Sequence, residues 1–357
     1  LIILPTPDTG IRDDEGKSTE GLLGEILKRV GTRRKEVMVG PGVGIDAGIV
    51  DLGEGKVLCA STDPMSYISE LGPVDSAALS VRSLFADLAA SGVWPQYALF
   101  SFNLPRSMSQ RQFLRYWKAV SDECRREGVA ILGGHTGKYP GGNYTVIGAG
   151  MAIGTGGFDS VFRRRVGEGD KIIMTKTAAI EATAVLARLF PKYITDRLGR
   201  KILGQARDHI ALLSVMNDAR AVSYSVGSGV EVTGVHDVAE GGVVKGAIEL
   251  VRSCRMGLRL ERELIPISKP TSAVCQLFGL DPAMTLGQGS LLVTCKEGHE
   301  ENLLRNLRER GISAARIGEV VGGTEVDTLV TGGRAERIKD FTDRYWQVYE
   351  KMRAENR

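Results

Sequence analysis

Val57-Leu58-Cys59-Ala60-Ser61-Thr62-Asp63-Pro64-Met65, and further on Ser83-Leu84-Phe85-Ala86-Asp87-Leu88-Ala89-Ala90-Ser91-Gly92, form the stretch on which the fold is read. The first part is a β-branched, apolar run that ends on Ser61, Thr62 and Asp63, with Pro64 expected to close the strand. The second part belongs to an amphipathic helix, with Val74, Ala78, Val81, Phe85 and Leu88 at helical spacing. That helix carries Asp87 near its end and stops at Gly92, with Pro95 just beyond. Two carboxylates therefore sit where a strand and a helix run out, which is where open α/β layers gather ligand groups. The plainer alternative makes Asp63 a turn residue and Asp87 a solvated helix residue.

Working outward, 357 residues suffice for two domains, and 43% hydrophobic with 25% charged residues is ordinary for a globular protein. A formal charge of +3 gives no electrostatic footprint for nucleic acid. The Arg163-Arg164-Arg165 run is read as a solvated turn. Glycine, at 45 residues, is well above the roughly 7% of average usage, which suggests tight turns and close backbone approaches to a ligand. Five scattered cysteines and four histidines leave little for a soft-metal site. The cysteines read as buried thiols of a reducing compartment, so the expected location is the cytoplasm. No apolar run approaches the 18 residues of a membrane span, and Pro5 cuts short the opening apolar run.

Residues 1–20 read as a loose arm, followed by a helix from Ser18-Thr19-Glu20 to Val30, ended by Gly31. A basic patch, Arg33-Arg34-Lys35, precedes Val37-Met38-Val39 and the glycine-rich Gly40–Gly48 stretch. Strands are expected at Ala47–Leu52, Lys56–Ser61, Tyr97–Leu104, Val129–Leu132 and Tyr144–Ile153, with a helix over Ser109–Glu127. The cluster Gly154-Thr155-Gly156-Gly157 marks the boundary between a first domain, 21–157, and a second, 158–357. The second domain alternates strands at Lys171–Thr175, Val230–Val235, Gly257–Leu260, Gly289–Thr294 and Ala315–Val321 with helices at Glu181–Leu189, Asp208–Ser225, Val243–Ser253, Ser268–Phe278 and Glu297–Arg310. A terminal helix carries Phe341, Tyr345, Val348, Tyr349 and Met352 on one side. Both halves mix strand and helix, which makes the chain α/β with two domains.

Walker, Gly-x-Gly-x-x-Gly, Gly-x-Ser-x-Gly and His-x-x-x-His signatures are absent. What recurs is an aspartate at the end of an apolar element: Asp46, Asp63, Asp87 and Asp237. Glycines lie close to most of them. Hard oxygen ligands on flexible backbone suit Mg²⁺.

These motifs, taken in order, resemble those of the AIR-synthase (PurM-like) superfamily, in particular its hydrogenase-maturation (HypE) branch. Gly44-Ile45-Asp46-Ala47 corresponds to a Gly-Asp-Asp-Ala, Ser61-Thr62-Asp63 to a Ser-Thr-Asp, and Ala86-Asp87-Leu88-Ala89 to an Asn-Asp-Leu-Ala. Gly133-Gly134-His135-Thr136 is similar to a Gly-Gly-His-Thr, and His236-Asp237 with Gly241-Gly242 to a His-Asp-x-x-x-Gly-Gly. The resemblance implies two α/β domains, a homodimer whose N-terminal sheets form an interface barrel, and ATP in the cleft. It implies Mg²⁺ held by Asp46, Asp63, Asp87 and Asp237, and nucleotide contacts from Gly42, Gly44, Thr62, Gly133, Gly134, Thr136, Gly241 and Gly242. Lys35 and His135 are the candidate catalytic residues; a solvent-facing lysine and a turn histidine are the alternatives.

Three departures bear on activity. Ile45 and Ala86 replace an Asp and an Asn of the pattern. The sequence ends Ala354-Glu355-Asn356-Arg357, where the carbamoyl dehydratases carry a cysteine, and the glycine-rich N-terminal stretch lacks the cysteine of a selenophosphate synthetase. The expectation is an ATP-dependent, Mg²⁺-requiring enzyme that phosphorylates or dehydrates an oxygen-bearing group on an unidentified small-molecule or protein acceptor. The rivals are a small-molecule kinase resembling thiamine-monophosphate kinase and a non-catalytic nucleotide-binding scaffold.

Overall fold

The structure is a computed structural model that describes residues 20–140, 142, 145–323 and 326–355. The expected arm and the start of the first helix, through Thr19, lie outside the described residues.

The first half builds one six-stranded sheet covered on one face by helices. In chain order it comprises α1 (Glu20–Leu27), β1 (Val37–Val39), β2 (Gly48–Gly53), β3 (Lys56–Tyr67), α2 (Gly72–Ala90), β4 (Tyr97–Leu104), α3 (Gln110–Arg126), β5 (Ala130–Lys138) and β6 (Thr145–Gly157). The strand order is β1-β2-β3-β6-β4-β5, antiparallel except for the β4–β5 pair.

β3 alternates as a half-buried strand should. Val57, Cys59, Ser61 and Met65 face the helices, while Thr62 and Pro64 lie exposed on the other side. Pro64 does not close the strand: it pairs with Ala149 and β3 continues to Tyr67. The reason is local. β2 pairs with β3 only as far as Ala60, so beyond it β3 has one bare edge, where a missing N–H costs no ladder bond.

α2 buries Ala78, Val81, Phe85 and Leu88 as its spacing predicts, although Val74 at its start is 62% exposed. The helix is pinned to the end of β3 by two serines: Ser76 Oγ accepts from Ile68 N at 3.0 Å, and Ser80 Oγ from Ser66 N at 2.8 Å. α3 begins at a capping box in which Ser109 and Gln112 satisfy each other's backbone donors.

The second half forms a seven-stranded sheet. Its elements are β7 (Lys171–Thr175), α4 (Ile180–Leu189), α5 (Pro191–Asp208), α6 (Met216–Gly227), β8 (Val232–Asp237), α7 (Gly242–Arg252), β9 (Gly257–Glu261), α8 (Lys269–Phe278), β10 (Leu291–Cys295), α9 (Glu300–Glu309), β11 (Ala314–Val321), β12 (Thr328–Thr331), β13 (Arg334–Arg337) and α10 (Tyr345–Glu355). The order is β13-β12-β9-β11-β7-β10-β8.

The elements differ from the expected ones at several points. The helix expected over Asp208–Ser225 is a short 3-10 turn at His209–Leu212 followed by α6. α5 was not anticipated, because Gly199 (φ 82°) kinks it and splits its apolar stripe in two. The β12–β13 hairpin was also missed; β13 is exposed along its whole length and offers no burial pattern to read. Finally, β5 does not stop at Leu132 but runs through Gly133-Gly134 to Lys138 as the outermost strand.

The halves share a core. Phe85, Phe100 and Tyr116 of the first half belong to the same buried cluster as Met216, Val222, Val235, Val293 and Leu303 of the second. Arg82 staples the junction, with Nε and Nη2 on the Glu123 carboxylate at 3.0 and 3.1 Å and Nη1 on Ile210 O at 2.7 Å. This packing sets the end of β8 against the turn that precedes β2.

Candidate functional site

The turn from Gly42 to Asp46 rests on α7. Gly44 has φ +70°, and a Cβ placed there would stand 2.6 Å from the Glu249 carbonyl oxygen, so only glycine permits this approach. Asp46 is thereby delivered to the end of β8. One ligand atom each from Asp46, His236 and Asp237 lie within 4.8 Å of one another, the arrangement of a small cation site.

The neighbours of this triad define its electrostatics. His236 Nδ1 lies 2.8 Å from Asp46 Oδ2, and its Nε2 lies 3.1 Å from Glu249 Oε2. Burial disfavours the imidazolium, but the charge of Asp46 and the hydrogen bonds to Asp46 and Glu249 outweigh it and push the ring up to about 9. Arg164 Nη2 pairs with Asp46 Oδ2 at 2.8 Å, and Arg164 also donates to the Gly44 and Val235 carbonyls. The arginine run is therefore not a solvated turn. Its middle member is an internal counter-ion that ties the first half to the second. Gln288 Nε2 donates to Asp237 Oδ2 at 3.4 Å.

The donor set fits Mg²⁺ through its carboxylates. Two carboxylates within reach of one ion suit a hard, oxygen-seeking cation. His236 suits it less as a direct ligand, since both ring nitrogens face carboxylates. It fits better as the group that orients Asp46.

Asp63 and Asp87 stand outside this triad. Asp63 projects from the helix-facing side of β3 towards a second acidic group, Glu181, Glu240 and Asp343. Burial first, and then the charges of Asp63, Glu240 and Asp343, push the Glu181 carboxyl up to about 8. Such a cluster favours a cation, because like charges at close range cannot all ionise cheaply. Asp343 accepts from Gly241 N at 3.0 Å and from Thr285 Oγ1 at 2.8 Å, and so fixes the β8–α7 turn. Gly241 (φ +81°) and Gly242 (φ +65°) open α7, and the chain itself takes up its first donors: Gly242 N donates to Ala239 O at 3.1 Å and Val244 N to Ala283 O at 3.0 Å, beside the Gly241–Asp343 bond. A Cβ on Gly242 would meet the Thr285 carbonyl at 2.7 Å. Asp87 lies half-buried in α2.

Of the other sequence candidates, Thr62 lies on the exposed face of β3, opposite to Asp63, and donates to Gly150 O at 2.8 Å. Gly133 and Gly134 are strand residues of β5. A Cβ on Gly134 would stand 1.8 Å from Phe100 O, so sheet packing alone requires glycine there. Thr136 and His135 are exposed on the same edge strand, with His135 Nε2 2.6 Å from the Tyr139 hydroxyl. Lys35 is exposed in the turn before β1, and Gly42 caps the Gly42–Ile45 turn by accepting from Ile45 N at 3.2 Å.

Sequence reasoning missed Arg164, Glu249, Glu181, Glu240 and Asp343 as members of the site. None stands at an element end beside glycine except Glu240, which falls among the unnamed positions of the His-Asp-x-x-x-Gly-Gly pattern. The aromatic side of α10 is spent internally: Tyr345, Tyr349 and Met352 are buried, and Trp346 Nε1 donates to Glu240 at 3.3 Å.

Fold and site thus define a two-sheet α/β protein with carboxylates gathered for a cation where the halves meet. The chain belongs to the AIR synthase related proteins, matching the N-terminal domain over residues 44–155 and the C-terminal domain over residues 167–330. A curated relative, the carbamoyl dehydratase HypE of Cupriavidus necator, is 28% identical over 284 residues, covering 74% of this chain and 76% of its own. Among solved structures, the hydrogenase maturation protein HypE in complex with ATP superposes with a TM-score of 0.65 at 22% identity, over 86% of this chain and 92% of its own. AaThiL complexed with AMPPCP and TMP gives a TM-score of 0.66 at 17% identity, over 90% of this chain and 95% of its own. Both share the two-domain PurM-like fold expected from the sequence.

Proposed function

We propose that this protein is an ATP-dependent, Mg²⁺-requiring enzyme that activates an oxygen-bearing acceptor by phosphoryl transfer or dehydration, as a HypE-like protein with its own acceptor. The observation that carries this reading is the meeting of Asp46, His236 and Asp237 across the two halves of an AIR synthase related chain. The HypE relative is a carbamoyl dehydratase and a HypE neighbour holds ATP, which supports the nucleotide and the reaction class.

Asp46 and Asp237, with Asp63 from β3 and Asp87 from α2, would hold Mg²⁺ on the ATP phosphates, and the bound ion would neutralise charge on the transferred phosphoryl group. The chain's own groups do the rest. The turn at Gly42–Gly44 and the glycine backbone at Gly241-Gly242 would line the phosphate side of the cleft, and the edge of β5 at Gly133, Gly134 and Thr136 would offer further donors. Glu249 holds His236, and His236 holds Asp46 in place against the cleft. Lys35 and His135, both exposed, would be the groups available to meet an acceptor from outside the carboxylate cluster.

The buried cysteines do not compete for the chemistry. Burial pushes the thiols of Cys124, Cys275 and Cys295 up to about 12, leaving them protonated. Among the described residues no helix is long and apolar enough to cross a membrane. The free, mostly buried cysteines support a reducing compartment, the cytoplasm.

The outer face of the first sheet supports a homodimer. Leu52, Tyr97, Leu132, Val146 and Met151 are exposed there, beside the bare edges of β1 and β5. An apolar, open-edged sheet is a surface that a second copy covers. The two domains divide at Gly157, between β6 and β7.

A second reading, small-molecule kinase, is favoured by the AaThiL neighbour bound to AMPPCP and TMP. The deciding experiment is ATP turnover by purified protein at millimolar Mg-ATP against a panel of small amides, carboxylates and alcohols. Turnover abolished by Asp237→Asn supports the enzyme; no detectable Mg-ATP binding refutes it.

A further inference from the structure

A cavity of about 340 Å³ lies between β1–β2, the C-terminal end of α2 and the 158–165 segment that joins the two sheets. Its size falls at the small end of ligand sites. Val39, Ile45, Ile49, Ala90, Phe158 and Phe162 give it apolar walls. Its charged members are Asp46 and the three arginines 163–165.

The arginines are not equivalent. Arg164 is spent on Asp46 and on two carbonyls. Arg163 rests on the Phe158 ring, its guanidinium carbon 3.8 Å from the centroid. Arg165 is exposed. Among the described residues neither Arg163 nor Arg165 has an ion-pair partner, so an apolar cavity is walled on one side by two uncompensated positive charges. Ala90 and Ser91 at the end of α2 also line it, tied to the arginine segment by Phe162 N donating to Ser91 O at 2.9 Å. An anionic group in this cavity therefore belongs at the arginines and an apolar body belongs against Ala90 and Ile49. Asp46 lines the cavity and also belongs to the carboxylate–histidine triad, so a molecule lodged here lies directly beside the proposed phosphoryl-transfer centre.

We infer that this cavity is the acceptor pocket, and that it takes a small molecule with an apolar body and a single anionic head. The inference rests on the reading of the protein as an ATP-dependent transferase, but the cavity is tested without turnover. Phenyl phosphate serves as the probe, with benzyl alcohol and benzylamine as neutral and cationic counterparts, in a calorimetric titration of the full chain lacking nucleotide.

The expected result is that phenyl phosphate binds and the other two bind at least about tenfold more weakly, since one hydrogen bond to a charged group contributes about that factor. Arg163→Ala with Arg165→Ala should weaken it about tenfold or more. The double lysine variant, which keeps both charges, should retain most of the affinity. Mg-ATP should leave the phenyl phosphate isotherm in place. Equal binding of the three probes, no binding at millimolar probe, or retention of affinity in the double alanine variant would overturn the pocket. Competitive displacement by Mg-ATP would assign the cavity to the nucleotide and overturn the acceptor assignment. Failure of ATP turnover would sink the transferase reading and leave these binding results untouched.

Discussion

Replacing Arg164 by methionine should make the protein less stable without divalent ions and more responsive to them. Its guanidinium lies 2.8 Å from the Asp46 carboxylate, with only 15% and 12% of the two side chains exposed. For charge centres about 4 Å apart, an effective dielectric near 20 gives an attraction of about 4 kcal/mol. Breaking a largely buried pair by removing one partner costs about 3–5 kcal/mol, so Arg164→Met in EDTA should lose about 3 kcal/mol of stability. Methionine preserves the aliphatic stem, which confines the change to the charge. A divalent ion on Asp46 and Asp237 would supply the missing counter-charge. In the wild type the same ion has to work against a guanidinium on the same oxygen. At one hundred times its dissociation constant an ion adds about 2.7 kcal/mol, and the variant should reach that point at a concentration at least about tenfold lower. The assay is thermal unfolding of both proteins across a Mn²⁺ titration. If Mn²⁺ raises the melting temperature of the variant no more than that of the wild type, Arg164 and the ion do not share Asp46.

Four further outcomes follow from the same structure. Glu181→Gln should raise the melting temperature at pH 8 and change it little at pH 4. A carboxyl held up at about 8 in the folded state gives stability that is complete below about 4.5 and lost as pH climbs towards 8, and thermal unfolding in EDTA reads this directly. Alkylation of the native protein with iodoacetamide at pH 8 should label Cys254, which is partly exposed, and spare Cys124, Cys275 and Cys295; mass spectrometry of the digest checks it. Gly134→Ala should destabilise the first sheet by about 3 kcal/mol or more, because its methyl would stand 1.8 Å from Phe100 O, a clash visible in a denaturant titration. Met151→Arg should turn the proposed dimer into a monomer in light scattering with the circular dichroism spectrum unchanged, since the side chain stands 43% exposed on the outer sheet face.

Much of the fold was legible because burial leaves a period. The alternation of β3 and the Ala78, Val81, Phe85, Leu88 stripe of α2 fall where the pattern put them, and Ser109 and Ser268 cap helices as their side-chain chemistry dictates. What carried no period was missed. α5 is interrupted at Gly199, β13 is exposed throughout, and Pro64 is harmless because its strand has a bare edge at that point.

The site was legible only in part, for the same reason. Asp46 and Asp237 stood out as aspartates next to glycine, and the fold brings them together through a turn that only Gly44 allows. His236 was quoted as motif and passed over as chemistry. Arg164 looked like one of three surface charges, because nothing local in Arg163-Arg164-Arg165 distinguishes the residue that turns inward. Its partner lies 118 residues earlier, a distance across which sequence pattern says nothing. Opposite faces of one strand also separated Thr62 from Asp63, which the motif had joined.

The most direct test of the account is Mn²⁺ binding in the presence of ATP, followed by electron paramagnetic resonance, for the wild type and for Asp46→Asn and Asp237→Asn. The account predicts that the wild type sequesters Mn²⁺ with the nucleotide and that each amide weakens this at least about tenfold while the protein stays folded. Undiminished Mn²⁺ and ATP binding in both variants would contradict it.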